Sequence, residues 1–311
     1  MALLVCPSLY QINARSWLKK LAENTGHPKT LDNIPDSDFD KLSESGFEWI
    51  WLKGIWQNSM DEKTSDLLIR DYRVDNHLGG NLALFRFRKR LQDRGLKLML
   101  DFVANHTAID HDWVNDFPDY YVQGSEDNFL NEPSRYFKVR NESGELTLAY
   151  ANDPFSDQQS RAAQLNYGNI SLQKAMIGEL IKISGQCDAV HCDLPMLILP
   201  GVFERTWNIQ CKPFWSAAIK AVKEINPEFQ FVAEVAWDQE GKLLQEMGFN
   251  HTYTMNDYLI IEGKIYKASQ QSSISRFKNT IEKSLVIKRS GNFYEEVTIP
   301  INYFVQKSSA V

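Results

Sequence analysis

Apolar residues along this chain fall into two alternating kinds of segment: short unbroken runs, and longer stretches where they recur every three or four positions. Unbroken runs suit strands of a parallel sheet covered on both faces, and the longer period suits helices. The first run is 3–12, and a short helix at 36–45 follows, opened by Asp36 and ended by Gly46. Run 47–52 comes next, then a helix with Leu82, Phe85 and Leu91 on one side that stops at Gly95. Run 96–103 is the third strand. A helix at 171–184 carries Leu172, Met176, Leu180 and Ile181, and strand 188–194 follows it. Pro213 opens a helix with Phe214, Ala218, Ala221 and Ile225 as its stripe. Strand 229–235, a short helix at 241–247 and strand 251–255 complete the pattern.

Six strand–helix steps predict an α/β fold, either a (β/α)8 barrel or a doubly wound sheet. The barrel fits better, because Asp101, Asp193 and Glu234 stand where strands end. Barrel active sites are built at those C-terminal ends. The alternation pauses from His106 to about Asn166, a stretch long enough to predict a functional loop or an inserted subdomain.

The chain has 311 residues, with 34 Lys and Arg against 40 Asp and Glu, a net charge of −6. That balance argues against nucleic acid or an anionic membrane as partner, since both are held by basic patches. No apolar run approaches the ~20 residues that span a bilayer. The N-terminus has no charged segment before its apolar stretch, which Pro7 and Ser8 break, so it does not read as a signal peptide. Cys6, Cys187, Cys192 and Cys211 lack metal-type or disulfide-scaffold spacing. A reduced, cytoplasmic protein is the expectation.

Asp193 and Glu234 end apolar runs in successive strand–helix units. Neighbouring barrel strands would bring the two carboxylates together at the barrel mouth, and a pair about 5–5.5 Å apart is the geometry of a retaining glycosidase. The flanking VAEVAW sequence is apolar, which would favour the protonated Glu234 that a general acid needs. The same spacing also suits two strand-end acids that merely cap neighbouring helices.

The motifs around these acids resemble the alpha-amylase superfamily, glycoside hydrolase family 13. DFVANH (101–106) is similar to its first conserved region, DAVHCDLPM (188–196) to its second and FVAEVAWD (231–238) to its third. LYQINARSW, DYRVDNHLGG and AQLNYG also resemble parts of its barrel, in the family's order, across roughly residues 1–260. The resemblance implies a TIM-type barrel in which Asp193 is the nucleophile and Glu234 the acid/base. It implies sugar-binding roles for His106, Asp101, His191 and Tyr72, and a calcium contact at Asn105. No other cofactor is required. The substrate would be an oligosaccharide, polysaccharide or other α-glucoside. The stretch after strand three would be the family's domain B, where Trp113, Tyr120 and Tyr121 are either sugar platforms or buried packing. The corresponding division is 1–106 and 166–260 for the barrel, 107–165 for the insert and 261–311 for an atypical tail.

Four departures from the family stand out. His191 occupies the place of an arginine, and lacks the bidentate fork and fixed charge of that residue. Leu67 replaces a tyrosine and Leu197 a histidine that offers calcium a carbonyl. After Met255 no fourth region with a third acid follows, which predicts that the last barrel strands are missing or atypical. These departures leave open a glucan-binding homologue without turnover, or a fragment. His106, Asp110, His111 and Asp112 could alternatively suggest a metal site. Cys192, next to Asp193 on its strand, is expected on the opposite face, toward the helices.

Overall fold

Six of the apolar runs become the strands of one parallel sheet: β1 Leu9–Asn13, β2 Trp49–Lys53, β3 Lys97–Val103, β4 Ala189–Asp193, β5 Gln230–Val235 and β6 His251–Thr254. The computed structural model describes residues 9–44, 46–60, 66–141, 144–152, 162–236 and 238–254. The expectations for residues 1–8, Met255 and the 261–311 tail, including the fate of the last barrel strands, lie outside the described residues. The strands stand side by side in chain order, each parallel to the one before. A doubly wound sheet reverses its order at a switch point, whereas a barrel wall keeps sequence order, so the topology is that of a TIM-type barrel wall.

The register explains why the runs are apolar on both faces. Met99 pairs with Trp51 and Ala189, and Asp101 pairs with His191, which pairs with Val232. Because side chains alternate, Leu9, Trp49, Trp51, Met99, Ala189 and Val232 share one face, where they form a small separate apolar cluster. The opposite face carries Ile50, Leu52, Leu98, Leu100, Phe102, Val190, Cys192, Phe231 and Ala233, and packs into the main core with the helices.

The covering helices are α1 Ala14–Thr25, α2 Asp36–Glu44, α3 Gly80–Gln92, α4 Ile170–Ser184, α5 Trp215–Ile225 and α6 Asp238–Glu246. Helix α1 has no counterpart in the hydrophobic reading, although Asn13 caps it by accepting from Ser16 N at 2.9 Å. Two stripes also differ from the expected ones. On α3 the buried residues are Ala83, Leu84, Phe87 and Leu91, while Leu82 and Phe85 are 69% exposed. The expected stripe shares only Leu91 with the buried face, because Ala83, Leu84 and Phe87 lie one or two positions round the helix from Leu82 and Phe85. On α5 the buried set is Trp215, Ala218, Ile219 and Val222, and Ile225 points out. No helix among the described residues is long and apolar enough to cross a membrane.

Gly79, which precedes α3, has φ +100°, and a Cβ built there would come within 2.6 Å of Ala83 Cβ. Gly79→Ala therefore meets both a left-handed backbone and a clash, and should lower stability by about 1–3 kcal/mol. Urea unfolding of the variant against the parent measures this.

The aperiodic stretch after β3 has structure of its own. His106–Ala108 pairs antiparallel with Ala162–Gln164, and Gly144–Ala149 lies between Gln123–Gly124 and Tyr136–Asn141 in a small antiparallel sheet. These antiparallel strands are only partly buried and carry polar residues throughout, so they lack the unbroken apolar runs that mark the barrel strands.

Candidate active site

Strand ends on the inner face carry the polar groups. Asp101 stands on β3 and His191 beside it on β4, two residues before Asp193. The last paired step between β4 and β5 is Cys192 with Ala233, so Asp193 and Glu234 are the next level and share the inner face. Adjacent strands lie about 4.8 Å apart, which places two such side chains within the separation of a carboxylate pair. Below them lies the apolar cluster of Trp49, Trp51, Met99 and Val232.

His191 is central. Its Nδ1 lies 3.3 Å from Asp101 Oδ1 and its Nε2 lies 3.2 Å from Glu234 Oε2. Its ring stacks on Trp51 with centroids 3.9 Å apart. Trp51 also donates through Nε1 to Asp101 Oδ1 at 2.9 Å, and Trp56 Nε1 donates to the Asp101 carbonyl at 2.9 Å. Burial alone would push the imidazole down, but the hydrogen bonds and charges of Asp101 and Glu234 outweigh it and lift His191 to about 8. Asp193 is also raised, to about 7, first by burial and then by the charge of Glu234, with His191 and Lys53 pulling the other way.

Glu234 thus sits in a different setting from the one its sequence suggests. Its neighbours along β5 are apolar, but across the strand pair it meets His191, and its side chain keeps 19% exposure. Its strand neighbours Ala233 and Val235 point to the opposite face, and its cross-strand neighbour is His191.

Tyr72 uses its hydroxyl on the backbone of β3, donating to Val103 O at 3.0 Å and accepting from Val103 N at 2.9 Å. Its ring stacks on Phe102. His106 is held neutral, pushed down to about 4 by burial, and its Nδ1 meets no hydrogen-bond partner among the described residues. Asn105 is buried, and both its backbone and side-chain oxygens accept from Gln164 Nε2, at 2.9 and 3.0 Å. Calcium needs six to eight converging oxygens. An amide donor aimed at Asn105 does not fit that requirement, so no step is derived through calcium. Among the described residues no group of three or more His, Cys, Asp and Glu gathers to hold a metal, which removes support for the His106, Asp110, His111 and Asp112 alternative.

Tyr121 is fully buried and shares a hydrogen bond of 2.9 Å with Thr107 Oγ1, so it is packing. Trp113 and Tyr120 pack edge to face at 5.4 Å, and Phe117 stacks on Tyr120. Trp51 is the site residue that sequence reading missed. Its signal was present in WIWLK, where Trp49 and Trp51 alternate with aliphatic residues and so share the inner face. Cys192 faces the helices as expected, and burial pushes its thiol well above the usual range. It should therefore resist a thiol reagent until the chain unfolds, which a timed labelling experiment with and without denaturant measures.

A family model described as "Alpha amylase, catalytic domain" matches residues 23–178. The match includes Tyr72, Asp101, Asn105 and His106, and ends before β4. An oligo-1,6-glucosidase of Bacillus cereus is 28% identical over 175 residues, covering 52% of this chain and 29% of that protein. A glucan 1,6-alpha-glucosidase of Streptococcus dysgalactiae subsp. equisimilis is 30% identical over 132 residues, covering 40% of this chain and 24% of that protein. The chain thus matches less than a third of the length of these curated relatives. In fold, it is similar to the crystal structure of an alpha-amylase from Lactobacillus plantarum, with a TM-score of 0.59 and 21% identity, over 89% of this chain and 58% of that one.

Proposed function

We infer, from the premise that this chain belongs to the alpha-amylase catalytic-domain family, that it is a retaining glycoside hydrolase or transglycosylase acting on an α-glucan or smaller α-glucoside. The carrying observation is the inner-face level shared by Asp193 and Glu234, with His191 bridging Glu234 to Asp101. Asp193 is the nucleophile: it attacks the anomeric carbon and forms a glycosyl-enzyme ester as the glycosidic bond breaks. Glu234 gives its proton to the leaving oxygen. It then takes a proton from the water or acceptor hydroxyl that opens the ester, which restores both carboxyls. Raising Asp193 to about 7 sets an acid limb, because the nucleophile must be ionised.

The antiparallel sheet between β3 and β4 serves in this reading as domain B, one wall of the cleft over a (β/α)8 barrel. Cys187, Cys192 and Cys211 are free, which suits a reducing, cytoplasmic setting. A second reading, a glucan-binding homologue without turnover, is favoured by His191 in the arginine's place. Product release from a panel of maltooligosaccharides, sucrose and trehalose, with Glu234→Gln as control, separates the two. Release that depends on Glu234 supports the enzyme. Unchanged glucan binding by both proteins, with no release from either, supports the binder.

A further inference from the structure

We propose that the Gln164 amide stands in for a cation: its Nε2 fills the point on which three oxygens converge, so the join between barrel and insert is closed without calcium. Those oxygens are Asn105 O at 2.9 Å, Asn105 Oδ1 at 3.0 Å and Leu165 O at 3.2 Å. Gathering main-chain and side-chain oxygens from distant segments onto one centre is what a bound calcium ion does. Here the centre is a nitrogen with two N–H donors, which spread over the three acceptors as one simple and one shared hydrogen bond. The network assigns the amide's orientation. Reversed, it would aim Oε1 at two backbone carbonyls, whereas Oε1 in place faces Asn152 N at 3.4 Å.

Charge and burial argue the same way. None of the three oxygens belongs to a carboxylate, so the centre offers a cation no formal negative charge. Gln164 and Leu165 are fully buried and Asn105 nearly so, and stripping water from a divalent ion onto neutral ligands alone is costly. The neutral amide meets the same oxygens without that cost. What it joins are the two ends of the insert. Asn105 leads directly into His106, and Ala162–Gln164 returns antiparallel beside His106–Ala108. Leu165 N also donates to Asn105 O at 3.2 Å, and Val122 N to Gln164 O at 2.9 Å. The entry and exit of the insert are thus held by a group that no chelator removes.

This proposal concerns the join and stands apart from the proposed activity. Urea unfolding of the full chain at pH 7, in EDTA and in millimolar calcium chloride, tests it. The parent should show the same midpoint in both solutions, and a midpoint that falls in EDTA and returns with calcium overturns the proposal. Gln164→Met keeps the side-chain length but leaves three buried oxygens without their donor. It should lower the midpoint by roughly 0.5–1 M in either solution. Gln164→Glu brings a carboxylate to the centre, so its midpoint should fall in EDTA and recover much of the loss in calcium, because the added charge completes a cation site. A Gln164→Met midpoint equal to the parent's, or a Gln164→Glu midpoint that calcium does not raise, overturns the stand-in role. Where a substitution prevents folding, the parent's response to EDTA decides the matter. A parent indifferent to EDTA that releases no sugar upholds the join and defeats only the reading as an enzyme.

Discussion

Asp193→Asn should fold like the parent and lose turnover of any α-glucoside the parent cleaves by about 10³-fold or more, because no covalent intermediate can form. The asparagine keeps the side-chain volume at a buried strand end, and it removes a carboxyl that burial already disfavours in its charged form. Stability should therefore hold or rise slightly at pH 8. The sign follows from linkage: a carboxyl raised in the folded state binds more protons than its unfolded counterpart, so it costs stability as pH rises from about 4 to 7. Parallel measurement of kcat/KM and of the urea midpoint at pH 5 and 8 tests both statements. A fall in activity matched by unfolding would count against the assigned role.

The second large effect is structural. Directly after Asp193 the chain turns through Leu194, whose φ of 38° is left-handed, into a tight turn at Pro195–Ile198. Trp215 fixes that turn, since its Nε1 donates to Pro195 O at 2.9 Å. The indole also packs against Phe102, Phe214 and Phe249 in three edge-to-face contacts, with centroids at 6.2, 5.1 and 4.9 Å. Trp215→Ala should cost about 3–5 kcal/mol for the cavity. A buried carbonyl left without its donor adds about 1–3 kcal/mol. Trp215→Phe keeps most of the packing and should cost much less, mainly the lost hydrogen bond. Urea midpoints for the three proteins check the ordering. Equal losses for Phe and Ala would mean that the hydrogen bond, and not the packing, holds the turn.

Much of this fold was legible because the four central strands, β2 to β5, are largely apolar on both faces, and that signal survives without any partner in view. The register then followed from alternation: Asp101, His191, Asp193 and Glu234 share a face because each stands an even number of steps from an inner-face residue on its own strand. What could not be read is what crosses between strands. Glu234 appeared to sit in an apolar setting because Ala233 and Val235 flank it, yet both belong to the helix side of the sheet. The contacts of His191 with Asp101 and Glu234, and the stack on Trp51, bring together residues far apart in the chain, and no local pattern encodes them. The helices erred in the same way. Leu82 and Phe85 share a helical spacing with Leu91, but the buried face is set by where α3 meets the sheet.

Local order also hid in small or polar residues. Helix α1 opens on an asparagine cap and buries only Ala14 and Leu18. The sheet in the 106–166 region is built from antiparallel strands of mixed polar and apolar residues, which carry no unbroken apolar run. Asn105 resembled a calcium contact in its motif, but whether an oxygen is free for a cation depends on its neighbour, and here that neighbour is the Gln164 amide.

The measurement that reaches the central claim most directly is the anomeric configuration of the first product released from an α-glucoside, followed by 1H NMR before mutarotation. With Asp193 as nucleophile and Glu234 as acid/base, the first-formed sugar should be the α-anomer, and the signal should vanish in Glu234→Gln. A β-anomer formed first, or product release that survives Glu234→Gln, would contradict the account.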